Sequence, residues 1–212
     1  MDEIRARQRP SRTKFLLCIN DQCFNKQKPE DFAHKVAVAA ESWGVDGIDI
    51  DYEPPSADPS IIPVVEAIRA ALPAHFLMSA PIYFQWLDVD IKQLLRPYAA
   101  VFNYTMTTDY TPYPGYEPMI SLYKQYSEAM GGESAYGKLA IGVSCMDFGG
   151  QYGEDFTPLA DVTKFCQYKP DGKNKLGIML FSLSYDAPGH PNGSYPFPSR
   201  FEYARTVEKD LL

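Results

Sequence analysis

An α/β fold with a parallel sheet is what this 212-residue sequence predicts, and three observations predict it. Short apolar runs of strand length alternate with stretches of helical periodicity, six times over. The strand runs are almost continuously apolar, which suits parallel strands covered on both faces. Prolines number 18, above their usual share of about 5%. They belong in connections rather than in element interiors.

In chain order, strands are expected over Lys14–Asn20, Val45–Tyr52, His75–Tyr83, Ala100–Thr107, Lys138–Met146 and Leu176–Tyr185. Between them, Glu30–Trp43 sets Phe32, Val36, Ala39 and Trp43 on one helical stripe, and Ser60–Leu72 does the same with Ile61, Val65, Ile68 and Leu72. Asp88–Tyr98, Pro118–Met130, Leu159–Tyr168 and Ser199–Leu212 complete the helices. Several begin near an acidic or hydroxyl residue and end near Gly or Pro. No linker, repeat or low-complexity tract divides the chain, so residues 1–13 read as a tail and 14–212 as one domain. Two parallel-sheet architectures compete. An open doubly wound sheet lacks its Gly-rich turn after an early strand, and a closed eight-stranded barrel takes about 250 residues where this chain has room for six units.

Composition bounds the function. Apolar residues make up 45% and charged residues 22%, which excludes disordered and fibrous classes. No apolar run approaches the roughly 20 residues of a transmembrane helix, so none is expected. Twenty basic against 27 acidic residues give a net charge of −7, which argues against nucleic acid or an anionic membrane as the main partner. Cys18, Cys23, Cys145 and Cys166 form no CxxC pair, so buried free thiols are expected rather than a zinc site. The N-terminus carries no apolar stretch of signal-peptide type. That reads as cytoplasmic, or as a secreted protein whose front end lies elsewhere.

Asp46-Gly47-Ile48-Asp49-Ile50-Asp51-Tyr52-Glu53 carries the most information. Side chains alternate faces along a strand, so Asp49, Asp51 and Glu53 share one face and Ile48, Ile50 and Tyr52 the other. Carboxylates two residues apart sit about 6.5 Å from one another. At an effective dielectric near 20 that is roughly 2.5 kcal/mol of repulsion per ionised pair. At least one carboxyl of the set is therefore expected to hold a proton at neutral pH, which is how a site makes a general acid out of a Glu. Asp46 falls out of phase and reads as a structural hydrogen-bond acceptor.

The segment resembles the DxxDxDxE signature of family 18 glycoside hydrolases, the chitinases and endo-β-N-acetylglucosaminidases. Met78–Pro81 (MSAP), Asn103–Tyr110 (NYTMTTDY) and Gly177–Asp186 (GIMLFSLSYD) resemble that family's fifth, sixth and last strands, in order. The resemblance implies a TIM-barrel-like (β/α) fold, here lacking the first two βα units. It implies Glu53 as acid, Asp51 orienting the substrate's acetamido group and Asp49 sharing a proton with Asp51. It also implies Met106, Asp109, Tyr110, Tyr104, Tyr83 and Phe181 around the sugar, and no cofactor. The implied activity is retaining cleavage of β-1,4 bonds between N-acetylglucosamine units, with the acetamido oxygen as nucleophile. A chitinase-like protein that binds such sugars without cutting them is the alternative. A metal site on the same acids is a third, and no His or further acidic cluster accompanies it. Three positions depart from the pattern: Thr108 stands where a Tyr is usual, Phe181 where a Trp is usual, and Cys18-Ile19-Asn20-Asp21 replaces SxGG. A barrel short of two units leaves two strand edges unpaired, and self-association would cover them.

Overall fold

The computed structural model describes residues 13–24, 28–53, 59–82, 89–108, 110, 112–146, 156–187 and 201–211. Strand and helix alternate throughout: β1 (Leu16–Asn20), α1 (Pro29–Trp43), β2 (Gly47–Asp51), α2 (Ile61–Ala71), β3 (Leu77–Ile82), α3 (Val89–Val101), β4 (Tyr104–Thr107), α4 (Tyr116–Met130), β5 (Leu139–Ser144), α5 (Leu159–Gln167), β6 (Gly177–Phe181) and α6 (Glu202–Leu211). All five pairings are parallel and the strands lie in sequence order, β1 to β6. That order is the one a TIM-barrel-like wall takes; a doubly wound sheet would reverse direction from its middle. No helix among the described residues is long and apolar enough to cross a membrane.

The two faces of the sheet differ in chemistry. Ile48 and Ile50 of β2, Met78, Ala80 and Ile82 of β3, and Leu139, Ile141 and Val143 of β5 are fully buried on the face toward the helices. Val65 and Ile68 of α2, Met119 and Tyr123 of α4 and Phe165 of α5 pack on them in one continuous core. Period-2 alternation sends the intervening residues to the opposite, inner face. At the far end, buried Asp186 accepts the backbone N–H groups of Tyr203 (3.2 Å) and Ala204 (2.9 Å). The Tyr203 hydroxyl donates to the Thr157 carbonyl at 2.6 Å. The start of α6 is thereby tied beneath the ends of β5 and β6.

Several boundaries move. Ala100 and Val101 close α3 and β4 starts only at Tyr104, because a short apolar run does not by its periodicity distinguish a helix end from a strand. β6 stops at Phe181, and a turn follows in which the Tyr185 N–H donates to the Ser182 carbonyl. Trp43, expected on the buried stripe of α1, is 58% exposed, and the stripe is Phe32, Ala33, Val36, Ala37 and Ala40. The angle of Trp43 on the wheel is close to that of Val36, seven residues earlier, so what leaves it exposed is its place as the last residue of α1 rather than its face. Cys145 and Cys166 are buried free thiols as expected, but Cys18 and Cys23 are free and exposed. Cys18 faces inward on β1 and Cys23 lies in the 3₁₀ turn after it.

Candidate active site

A cavity of about 810 Å³ opens on the inner face of the sheet. Both ends of the strand order contribute to its wall: Lys14, Leu16 and Cys18 from the β1 side, and Met179 and Phe181 from β6. The six-stranded sheet therefore curls around the cavity. Asp49, Asp51 and Glu53 all line it, as expected of alternate positions on one strand. Asp49 and Asp51 are half-buried within β2, and Glu53 lies two residues past its C-terminal end and is exposed. Asp46, one residue before β2, stays out of this wall. Its Oδ2 accepts the Phe15 N–H at 3.0 Å and its Oδ1 pairs with the Lys14 ammonium at 3.1 Å, stitching the start of β1 to β2.

Each inner acid has a neutral donor beside it, set by the strand register. Cys18, Asp49 and Ser79 stand abreast on β1, β2 and β3, and Asn20 stands abreast of Asp51. The Ser79 hydroxyl donates to Asp49 Oδ1, and the Cys18 thiol also bonds Asp49. Burial raises the Asp49 carboxyl above the ordinary range, against the lowering effect of the Ser79 bond, and the nearby Asp51 raises it further. Cys18 is exposed as a residue, but partial burial of its thiol in the wall, with the charges of Asp49 and Asp51, pushes the thiol up to about 12, so it is held as a neutral donor. The expectation that crowding acts on the last acid, Glu53, is therefore corrected: the carboxyl raised is Asp49, and burial in the wall raises it more than the neighbouring charge of Asp51 does.

A raised carboxyl favours protonation in the folded chain, so ionising it costs stability above its unfolded value of 3.8. The cost vanishes at lower pH, where both states are protonated. Asp49→Asn is therefore expected to stabilise the fold by about 1 kcal/mol at pH 7, as relief of active-site strain commonly does. The gain should shrink as the pH falls toward 4. Thermal unfolding of both proteins between pH 4 and 8 checks this, and a gain independent of pH would contradict it.

The remaining residues form the floor and far wall. Met106 and Thr108 of the β4 side and Tyr110 beyond it line the cavity. Tyr110 is buried and stacks on Phe181, with ring centroids 5.7 Å apart and planes 19° from parallel. Gly142 of β5 leaves the room for this: a Cβ there would sit 3.0 Å from Tyr110 Cδ1. Thr108 turns its hydroxyl to the Ile82 carbonyl at 3.4 Å. Tyr104 faces Ser79 in the register and is not part of the cavity wall. Tyr83 and Asp109 lie outside the described residues. Sequence reasoning missed Cys18, Asn20, Ser79, Pro81, Gly142 and Met179. For all but Gly142 the signal was parity: each shares its strand's inner phase with a residue of the cavity wall, but which phase faces inward is known only once strands are paired.

No family model matches the sequence, and no curated protein matches it. Solved structures do. The chain is similar to a chitinase from Bacteroides thetaiotaomicron (TM-score 0.74, 14% identity, 100% of this chain and 80% of that one). It is similar to a fungal endo-β-N-acetylglucosaminidase from glycosyl hydrolase family 18 (TM-score 0.72, 14% identity, 98% and 76%). It is also similar to active domain 2 of a thermostable chitinase from Pyrococcus furiosus, solved with chito-oligosaccharides (TM-score 0.71, 14% identity, 99% and 76%). The chain thus has the TIM-barrel-like α/β fold of these chitinases and endo-β-N-acetylglucosaminidases.

Proposed function

We propose that the chain is a retaining glycosidase that cleaves β-1,4 bonds between N-acetylglucosamine units, in chitin, chitooligosaccharides or the core of N-glycans. The observation that carries this is the run of Asp49, Asp51 and Glu53 along one wall of an 810 Å³ cavity. The volume falls within the range of small-molecule sites, about 300–1,000 Å³. The names of the structural neighbours point to the same class of sugar.

In this reading Glu53, at the C-terminal mouth where such folds carry their chemistry, protonates the glycosidic oxygen as the bond to the anomeric carbon breaks. The substrate's acetamido oxygen closes on that carbon from the opposite face. Asp51 accepts the acetamido N–H and balances the positive charge of the cyclic oxazolinium. Asp49, whose carboxyl burial raises above the ordinary range, shares a proton with Asp51 and tunes it. Glu53, now a carboxylate, takes a proton from water as the water reopens the ring, and configuration is retained. Phe181 and Tyr110 offer a flat apolar floor to a sugar ring, and Met106 flanks it.

A second reading, sugar binding without turnover, is favoured by one observation: the Thr108 hydroxyl is engaged with the Ile82 carbonyl and offers less to the acetamido oxygen than a Tyr would. A fluorogenic chitobioside separates the two. Release of the fluorophore is expected from the glycosidase. Binding by calorimetry with no release makes the chain a lectin, and neither binding nor release discards both readings.

A further inference from the structure

We propose that Asn20 is a positioning residue for Asp51, fixing one carboxylate oxygen so that the other is presented to the substrate. The proposal rests on the glycosidase reading. Asn20 is the last residue of β1 and stands abreast of Asp51 in the β1–β2 register. Its Nδ2 donates to Asp51 Oδ2 at 3.3 Å. On the other flank, β3 brings Pro81 to the cavity wall, and proline has no N–H to give. Asp49 one turn of the pleat below is served from both sides, by Cys18 and by Ser79. Asp51 thus takes its cross-strand donor from β1. The amide also places a side chain at a position that is glycine in the SxGG pattern, so this contact belongs to the present chain's own residues.

A carboxylate that must accept one N–H and face a developing positive charge loses most when it can rotate, and it loses it in the transition state rather than in sugar binding. Hydrogen bonds to charged groups carry enough free energy for about a tenfold effect. With the fluorogenic chitobioside, Asn20→Ala is expected to lower kcat about tenfold and leave KM within about twofold. Asn20→Gln, which keeps the amide, recovers part of the loss, and Asn20→Asp, which keeps the shape without the donor, does not. The contact is also read without sugar: the Asn20 side-chain amide resonances of the ¹⁵N-labelled protein should move on Asp51→Ala. A parent that cleaves the chitobioside while Asn20→Ala keeps full kcat overturns the proposal and leaves the glycosidase reading standing, as does an Asn20 amide that ignores Asp51→Ala. A parent that neither binds nor cleaves the chitobioside overturns the glycosidase reading, and Asn20's catalytic role with it.

Discussion

Glu53→Gln is expected to bind chitooligosaccharides as the parent does and to cleave them about a thousandfold more slowly, the middle of the range that general acid–base groups contribute. The substitution keeps shape and hydrogen-bonding reach but removes the proton that the leaving oxygen needs. Glu53 is exposed beyond the end of β2, so the fold has little stake in it and the melting temperature should hold. Loss of kcat with binding and stability intact would assign the chemistry to this group. Hydrolysis at the parental rate would remove Glu53 from the mechanism, whatever the rest of the cavity does.

Gly142→Ala should carry the largest stability effect. A Cβ at position 142 would run into the Thr107 carbonyl oxygen and press on Tyr110 Cδ1. Neither neighbour can yield cheaply. Thr107 belongs to β4, and its hydroxyl accepts the Gly142 N–H at 2.9 Å. Tyr110 is held by its stack on Phe181. Overpacking against backbone costs about 3 kcal/mol, which for a domain of this size lowers the melting temperature by roughly 10 °C. Sugar binding should weaken as well, because the displaced ring is part of the cavity floor. Gly137→Ala is the control: a Cβ there meets nothing within 4 Å, so its melting temperature should match the parent's. Equal stability of both variants would mean that the close approach of β4 and β5 is not tight.

Much of this was legible in the residue order. Alternation of apolar runs and helical stripes specified six strand–helix units, because parallel strands covered on both faces leave that pattern. The phase of Asp49, Asp51 and Glu53, with Asp46 outside it, follows from the pleat alone. Boundaries were weaker: Ala100 and Val101 are apolar in either element, and only the continuing backbone of α3 assigns them.

Residue order by itself determined which acids share a face and that strand and helix alternate six times. Tertiary structure decided what stands beside those acids. Cys18 and Asn20 meet Asp49 and Asp51 across 31 residues of chain, a distance over which no local period operates. It decided that Asp49 is the carboxyl raised, since desolvation depends on depth in the wall. It decided too that Thr108 turns to Ile82 and that Tyr110 lies on Phe181. Local alternation is a property of one strand's covalent geometry, whereas neighbours, burial and charge environment are properties of strands brought together.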